Sequence, residues 1–402
     1  MKILRAHKIR LKPNRKQETY FRRAAGTARF AYNWALAEWQ REYSAGGKPN
    51  EAVLRKRLNA VKRQEFPWMT EVTSRAPLIA IQNLGEAFSR FFRGQNRHPT
   101  FKKRGVHDSF GLTNDSFRID GKKCRIPALG WVRMTERLRL EGKIMSATIS
   151  RTADRWFVSV LVETDLKPSA TPPKKAVGVD LGLKTFAVLS TGEKFDAPKP
   201  LKTQLKKLRR ASRTLSRRKR GSSNRAHAKT KLSIVHYRVT CIRSNFLHQL
   251  TSRLSKRFGT ICIEDLHVKG MVKNRRLARS ISDVAWSEFR RQIEYKCGDV
   301  RLVPRFFPST KTCSGCGTVK DMPLSERTYR CSACGLVVNR DINAAINIRT
   351  AGLAGTGPTS RPDACGEDRA RGTSRKQEAG SVAMVAPRKT GKAAAICGGV
   401  MV

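Results

Sequence analysis

Ala-Val-Gly-Val-Asp-Leu-Gly, residues 176–182, is the stretch on which the fold of this chain depends. Its short apolar run ends in Asp180, and Ile-Cys-Ile-Glu likewise ends in Glu264. A third acid, Asp341, opens Asp-Ile-Asn-Ala-Ala-Ile-Asn. Ionised carboxylates at strand ends have no evident role in packing, and they repel each other unless cations lie between them. Because Mg²⁺ prefers hard oxygen ligands, the three acids predict a metal site.

Each acid taken alone also has an ordinary explanation. Asp180 fits a turn residue, Glu264 fits a charge at a strand end, and Asp341 fits an N-cap or first-turn acid of its helix. Asp265, next to Glu264, faces the opposite side of the strand by alternation and is the weaker candidate ligand. All three acids in this order, with a cysteine module before the third, favour one shared site.

Two Cys-x-x-Cys pairs, Cys313/Cys316 and Cys331/Cys334, precede Asp341. Four thiolates at this spacing suit one tetrahedral Zn²⁺, and a closed set of four leaves no position for substrate. The zinc is therefore expected to be structural and to supply the folding energy of a module too small to build its own core. Redox disulfides are the alternative, although that interpretation requires a single Cys-x-x-Cys beside a βαβ unit. The module should hold the start of the Asp341 helix.

The composition indicates a polyanionic partner. The 402 residues suffice for two or three domains, and 82 Lys and Arg against 31 Asp and Glu give a formal net charge of +51. Such a charge destabilises an isolated compact chain by self-repulsion. An ordinary solvated basic face and an anionic membrane surface are the alternatives. No stretch approaches ~20 apolar residues, and the N-terminus lacks the apolar core of a signal peptide. We therefore expect a cytoplasmic, nucleoid-associated protein with no membrane partner, and with its other six cysteines reduced.

The periodicity predicts a multidomain α/β protein. An apolar-rich strand at 2–12 precedes three helices, and the period then falls to two over 117–162, which indicates a small β-barrel or curled sheet interrupted by a helical insert. The predicted domains are a wedge-like β-barrel at 1–14 and 105–168, a helical recognition insert at 15–104, a nuclease domain at 174–308 and 335–353, a zinc ribbon at 309–334, and a disordered basic, Gly- and Ala-rich tail at 354–402. A linker is predicted at 168–175.

The nuclease domain is predicted from the order of its elements. Three short strands from Val177 to Phe195, a long basic helical stretch at 201–257, a strand at 260–264, a helix from Ala285 and a strand from Val300 follow each other. This is the order of the RNase H-like fold, in which the first strand is central, the fourth is its neighbour and a late helix crosses both. Two Mg²⁺ ions held ~3.5–4 Å apart by such acids can clamp a phosphodiester, and this route needs neither His nor a covalent nucleophile.

At this point the chain resembles the TnpB family encoded by insertion sequences, which is related to the type V CRISPR effector nucleases. The resemblance covers about residues 1–353. The matching segments are Val-Gly-Val-Asp-Leu-Gly-Leu-Lys around Asp180, Ile-Glu-Asp-Leu around Glu264, Cys-Ser-x-Cys-Gly twice, Asn-Arg-Asp-Ile-Asn-Ala-Ala-Ile-Asn-Ile at 339–348, and the N-terminal Lys-Ile-Arg-Leu-Lys-Pro and Pro-Thr-Phe-Lys-Lys.

The resemblance implies an RNA-guided DNA endonuclease. A guide RNA from the transposon end would pair with one strand of a double-stranded DNA target, the N-terminal part would grip RNA and recognise a short adjacent motif, and a RuvC-like domain would cut both strands. It also implies that Asp180, Glu264 and Asp341 are the catalytic acids, that they hold two Mg²⁺, and that the protein works as a monomer with its RNA. Thr113 and Asn114 resemble family positions near the adjacent motif.

Basic runs at 97–104 and 202–220 are candidates for the channel that holds a guide–target duplex by its backbone. The residues singled out are Lys102, Lys103, Arg217, Arg218 and Arg220, and solvated charge on a helix face is the alternative for each. Two other functions remain open: an unguided, structure-selective RuvC-like nuclease, and a nucleic-acid-binding accessory or regulator of transposition. The first needs less than the predicted barrel and insert, and the second would fit better had one of the three acids been lost.

Overall fold

The computed structural model describes residues 2–165, 175–323, 325–355 and the backbone of 359–360. Apart from Lys175, the predicted linker at 168–175 lies outside the described residues, as does most of the tail predicted from 354 onward. Two large β-sheets, each covered by helices, and a small two-stranded ribbon make a mixed α/β protein. Across the described residues, no helix combines the length and the apolar character needed to cross a bilayer.

The chain begins with strand β1 (Lys2–Lys12), followed by three helices: α1 (Arg15–Ser44), α2 (Glu51–Val61) and α3 (Arg75–Phe92). Asn14 and Gln17 form a capping box at the start of α1, and the chain leaves its end through Gly46 at φ 81°. The strand and all three helices are confirmed predictions. Trp39 of α1 and Phe88 of α3 are buried and stack with ring centroids 4.1 Å apart, so both belong to the core.

Three- to four-residue spacing predicts that Val53, Leu54, Leu58 and Val61 of α2 face the core, and this prediction is wrong for Val53. Leu54 and Leu58 are buried as expected, but the side chain of Val53 is 43% exposed. Leu54 and Leu58 lie four residues apart, on one face of the helix, whereas Val53 is rotated about 100° from Leu54. Val53 is therefore an apolar residue beside the buried stripe and not part of it.

The first sheet is antiparallel, with seven strands in the order β2-β6-β7-β1-β5-β4-β3. Its later strands are β2 (Ser109–Thr113), β3 (Arg118–Asp120), β4 (Lys123–Ile126), β5 (Gly130–Met134), β6 (Lys143–Thr152) and β7 (Arg155–Asp165). β1 pairs with β7 over residues 2–10 and with β5 at 11–12, so the first strand joins the later ones as predicted. The helices share its core, since the rings of Phe21 and Trp156 lie 5.1 Å apart.

The predicted strands of this region begin at Phe117, so strand β2, with its central glycine, is an addition by the structure. The structure gives that glycine a packing reason. A Cβ on Gly111 would lie 2.6 Å from Cγ2 of Ile79, so the Ile79 side chain of α3 fills the space that a side chain at position 111 would need.

The second sheet has the order β10-β9-β8-β11-β12-β15. Its strands are β8 (Ala176–Leu181), β9 (Ala187–Leu189), β10 (Lys194–Phe195), β11 (Thr260–Glu264), β12 (Asp299–Val303) and β15 (Thr359–Ser360). β8, β9 and β10 pair antiparallel, and β11 is parallel to both β8 and β12. The carboxyl ends of β8, β11 and β12 therefore lie at one edge. β15 falls within the segment for which composition predicts disorder.

The basic stretch predicted as helical over 201–257 forms two helices, α4 (Pro200–Ser216) and α5 (Ser223–Arg257). Gly221, at φ 86°, lies in the turn between them, and the guanidinium of Arg225 donates to the carbonyl oxygens of Leu215 (2.7 Å) and Arg218 (2.9 Å). That contact closes the carboxyl end of α4.

Helices cover both faces of the second sheet. α6 (Val268–Met271), α7 (Ala278–Val284) and α8 (Trp286–Lys296) follow β11, and α9 (Arg340–Leu353) precedes β15. Ile261 and Ile263 of β11 belong to the core beneath α5 and α8, whereas Cys262 belongs to a separate cluster with Ile348 of α9. Because successive side chains of a strand alternate between faces, α9 covers the face opposite α5 and α8.

Candidate functional site

Asp180 and Glu264 lie on the same face of the second sheet. Gly178 of β8 pairs with Cys262 of β11, and Val179 with Ile263, so the next position in this parallel register sets Asp180 beside Glu264. Strand alternation places both acids on the Cys262 side, which α9 covers. Asp341 is the second residue of α9. The structure thus brings three residues remote in sequence to one end of one sheet face.

Two glycines allow α9 to approach this face closely. A Cβ on Gly178 would lie 2.0 Å from the carbonyl oxygen of Ala345 and 2.6 Å from the amide nitrogen of Arg349. At the other end of the helix, a Cβ on Gly352 would lie 2.5 Å from the sulfur of Cys262. Contacts with the α9 backbone at Gly178 and with the Cys262 side chain at Gly352 determine where α9, and with it Asp341, lies over β8 and β11.

The environment of Asp180 disfavours its negative charge. Burial raises the pKa of Asp180 to about 7, and the charges of Glu264 and Asp341 add to the shift, while Arg340 opposes it. Asp180 is therefore close enough to both other acids for their charges to act on it. Burial also raises the pKa of Glu264, and a hydrogen bond from Ser309 limits that rise. Carboxyl groups destabilised in this way are typical of functional sites.

Asp341 is held at the start of its helix by Asn339, which ends the ribbon strand described below. The Asn339 side chain accepts hydrogen bonds from the backbone amides of Asp341 (3.1 Å) and Ile342 (3.4 Å). Arg340 and Arg327 approach the Asp341 carboxylate at 3.5 and 3.9 Å. Asn339 is thus the N-cap of α9, so the carboxylate of Asp341 does not cap the helix and lies beside the two arginines instead.

The three acids are neighbours but not a closed ligand set. Within the described ranges, the four cysteines are the one group that brings three or more ligand atoms close enough together to hold a metal ion. Repulsion between like charges disfavours closer approach of the carboxylates. Their donor chemistry nevertheless suits a hard divalent cation, because they offer oxygen ligands at a place where negative charge is costly. Asp265 is engaged elsewhere, in ion pairs with Arg290 (2.6 Å) and Arg305 (3.0 Å).

The cysteine module fits zinc. All four sulfurs lie within 4.8 Å of one another, and the Cys313–Cys334 and Cys316–Cys331 sulfur pairs are each 3.6 Å apart. Zn–S bonds of ~2.3 Å in a tetrahedron place sulfurs ~3.8 Å apart, close to the observed separation. Hydrogen bonds from Thr318 lower the pKa of the Cys316 thiol to about 6, which favours the ligating thiolate.

The module is joined directly to α9. Its ribbon consists of β13 (Thr328–Arg330) and β14 (Val337–Asn339), which pair antiparallel, and Asn339 is both the last residue of β14 and the N-cap of α9. This continuity confirms the prediction that the module holds the start of the Asp341 helix.

Two buried asparagines of α9 were not singled out from the sequence. The Asn343 side chain accepts from the Ser314 amide (2.9 Å) and donates to the Thr312 carbonyl (2.7 Å). Asn347 donates to the carbonyls of Ser309 (2.8 Å) and Thr312 (2.7 Å). Their four-residue spacing on one helix face, in an otherwise apolar motif, is the pattern that could have identified them.

A cationic groove of about 760 Å³ runs along α4. It is lined by Lys206, Arg209, Arg210, Arg213, Arg217 and Arg218, all exposed, while Leu208 on the same helix is buried. The structure therefore places two of the three predicted arginines, Arg217 and Arg218, in one groove. Arg220 lies beyond the end of α4, in the turn before α5, and does not line this groove.

The other predicted nucleic-acid residues lie around the first sheet. Lys102 and Lys103 line a cavity of about 540 Å³ between α1, α3 and β2. The Lys102 ammonium lies 3.7 Å from the centre of the Tyr32 ring, and Asn33 clamps the Lys102 backbone by two hydrogen bonds of 2.8 and 3.0 Å. This basic loop is therefore held to α1 rather than freely solvated.

Thr113 and Asn114 lie outside that cavity, where β2 ends in a short 3₁₀ turn. The Thr113 hydroxyl contacts Asp115, which pairs with Arg75, whereas the Asn114 side chain is exposed. Of the two, Asn114 is the more available to a ligand.

Family models cover three parts of the chain. A model described as "Probable transposase" matches residues 157–275, one described as the TNB domain of Cas12f1-like proteins matches 286–348, and one described as a helix-turn-helix domain matches 1–48. In this last range the structure has strand β1 and a single long helix, α1.

Two bacterial relatives match over nearly their whole lengths. A Streptomyces pristinaespiralis protein named "Putative RNA-guided DNA endonuclease" is 36% identical, over 91% of this chain and 92% of the relative. An Escherichia coli K12 protein named "Putative RNA-guided DNA endonuclease InsQ" is 34% identical, over 94% and 98%. In fold, the chain is similar to Cas12f1, solved in a complex with guide RNA and target DNA, at a TM-score of 0.50, 14% identity and 83% coverage of each chain. The chain therefore belongs to the TnpB family, as its motifs predicted.

Proposed function

We propose that this chain is an RNA-guided, Mg²⁺-dependent DNA endonuclease of a transposable element, which cleaves target DNA next to a short adjacent motif. The observation that carries the proposal is the arrangement of the acids. Asp180 and Glu264 lie side by side on parallel strands, beneath the helix whose second residue is Asp341. The names of the two bacterial relatives support the same activity.

The proposal assigns the second sheet to a RuvC-like, RNase H-like nuclease domain. The strands β10, β9 and β8 pair antiparallel, and β11 and β12 lie on the other side of β8 and run parallel to it. This arrangement agrees with the strand order of the RNase H-like fold. In the same proposal the first sheet is the wedge-like barrel, residues 15–104 are the recognition insert and residues 309–334 are the zinc ribbon.

The proposed chemistry uses the acids as ligands rather than as nucleophiles. Asp180, Glu264 and Asp341 would hold Mg²⁺, and the chemistry that a bound pair supplies is activation of water and stabilisation of the leaving oxygen. The chain's own contribution is position. The register of β8 and β11 sets two carboxylates side by side, and the close approach of α9 sets the third. Arg327 and Arg340 keep positive charge beside Asp341.

In this proposal the excess of Lys and Arg binds the phosphate backbone of the nucleic acid. A guide–target duplex is recognised through its backbone, so a channel of Lys and Arg is required more than base-contacting side chains. The groove supplies six cationic side chains, four on α4 and two just beyond its end, and a formal net charge of +51 matches a large polyanionic partner.

An unguided nuclease and a non-cleaving accessory protein are the competing functions. The experiment that separates them is purification of the expressed protein and sequencing of the RNA that accompanies it. The guided function predicts one discrete transcript from the transposon end, and heterogeneous RNA would favour an unguided nuclease. Cleavage of a matched DNA target should require Mg²⁺ and be abolished by Asp180→Ala without loss of RNA binding. Equal cutting by that variant would overturn the catalytic assignment.

A further inference from the structure

Ser309 connects two of the three acids through its side chain and its backbone. Its hydroxyl donates a 2.6 Å hydrogen bond to Oε1 of Glu264, 45 residues earlier in the chain. Its carbonyl oxygen accepts a 2.8 Å hydrogen bond from Asn347 on the helix that carries Asp341. Ser309 is 4% exposed; its hydrogen bond from Asn347 is buried, and its hydrogen bond to Glu264 is partly buried.

The backbone around Ser309 is fixed from both sides. Towards the N-terminus, Phe307 packs against the cluster of Cys262 and Ile348, and the Ser309 amide donates to the Phe307 carbonyl at 2.8 Å. Towards the C-terminus, the Thr312 carbonyl accepts from both asparagines of α9, and the thiolate module begins at the next residue. The Ser309 hydroxyl is thus presented to Glu264 from a braced segment.

We propose that Ser309 is a positioning residue for Glu264, holding one carboxylate oxygen so that the other is presented towards Asp180. The inference rests on the proposed function, because it assigns Glu264 as a metal ligand. A glutamate side chain has several rotatable bonds, and fixing it costs conformational entropy. A buried hydroxyl donating to an ionised oxygen makes a short, strong hydrogen bond that meets this cost before a cation arrives. Outer partners of metal ligands commonly change metal affinity 10- to 100-fold.

The same contacts give the cysteine module a second task. The module holds the start of the Asp341 helix through Asn339, and through the segment 309–312 it also reaches Glu264. Its folding therefore fixes the positions of two acids of the site, Asp341 on α9 and Glu264 on β11.

The test compares metal binding by Ser309→Ala, Ser309→Thr and the wild-type chain with its co-purified RNA. Titration with Mn²⁺ should show affinity weakened about 10-fold or more in Ser309→Ala and largely restored in Ser309→Thr, which keeps the hydroxyl. Ser282→Ala, at an exposed serine of α7, is the matched control and should bind Mn²⁺ as the wild type does. In cleavage, the Mg²⁺ concentration for half-maximal rate should rise by a similar factor, while the rate at saturating Mg²⁺ changes only a few-fold.

A folded Ser309→Ala variant with wild-type Mn²⁺ affinity would overturn the inference. If that variant does not fold, Ser309→Cys replaces it, because a thiol nearly keeps the volume but is a weak donor. Ser309→Cys should then bind Mn²⁺ weakly, and wild-type affinity in it would equally refute the role. Failure of the proposed function looks different, since Asp180→Ala would then leave Mn²⁺ binding unchanged in an otherwise wild-type chain.

Discussion

Gly178 and Ala345 are in backbone contact across the candidate site: a Cβ added to Gly178 would lie 2.0 Å from the carbonyl oxygen of Ala345. Gly178 is two residues before Asp180 on β8, and Ala345 is four residues after Asp341 on α9. The strand and the helix that carry two of the acids therefore meet where neither can yield. Any side chain at position 178 must move α9 away from the sheet.

Gly178→Ala should destabilise the protein by about 3 kcal/mol or more, because the atom that blocks the new methyl group belongs to the backbone. Thermal or denaturant unfolding measures the change. Gly298→Ala is the matched control, since a Cβ there meets nothing within 4 Å and should alter stability little. Equal stability of the two variants would show that α9 does not press on β8 as the structure has it.

Asp180→Asn should stabilise the protein in buffer free of divalent ions at pH 8. The pKa of Asp180 is raised by burial from 3.8 to about 7, so between about pH 4 and pH 7 the folded state keeps a proton that the unfolded state has released. Stability is therefore lost as pH rises from about 4 through 7, and Asn avoids this loss. The gain should be on the order of 1–3 kcal/mol at pH 8 and should shrink as the pH is lowered to 5.

Asp265→Asn provides the control of opposite sign on the neighbouring residue. Burial alone would raise the pKa of Asp265, but hydrogen bonds from Arg290 and Arg305 outweigh it and lower the pKa. Its carboxylate thus stabilises the fold above its unfolded pKa, and Asn should reduce stability at pH 8. In a chain of net charge +51, removal of an acid generally increases self-repulsion. Stabilisation by Asp180→Asn but not by Asp265→Asn would therefore show that the environment of Asp180 disfavours its negative charge.

Cys331→Ser should lower the zinc content from about one ion per chain to nearly none, because three thiolates leave the tetrahedral site open. Elemental analysis measures the metal, and limited proteolysis should show cutting between Cys313 and Asn339. Cys241→Ser, at an exposed cysteine outside the cluster, should leave both unchanged. Full zinc content in a folded Cys331→Ser protein would refute the zinc module.

The double change Arg213→Gln and Arg217→Gln should weaken nucleic-acid binding and reduce its salt dependence by about two phosphate contacts, with little effect on folding. Binding measured over a series of salt concentrations gives the slope. Arg22→Gln with Arg41→Gln removes the same charge from α1, where both arginines pair with glutamates. If both double variants lost affinity equally, the effect would come from net charge and not from the α4 groove.

The sequence alone determined the chemical parts of this protein. The identities of Asp180, Glu264 and Asp341, the spacing of the four cysteines and the excess of Lys and Arg are properties of the chain itself, and periodicity located most helices and strands. Such patterns are local, because strand alternation and helical stripes extend over about ten to twenty residues.

Only the tertiary structure decided how those parts meet. The 2.6 Å hydrogen bond from Ser309 to Glu264 spans 45 residues, and the contact of Gly178 with α9 spans far more. The burial of Leu58 but not Val53, and the groove that gathers Arg217 and Arg218 but not Arg220, likewise depend on which surfaces pack together. Packing joins residues remote in sequence, and no local pattern records the distance at which two elements meet.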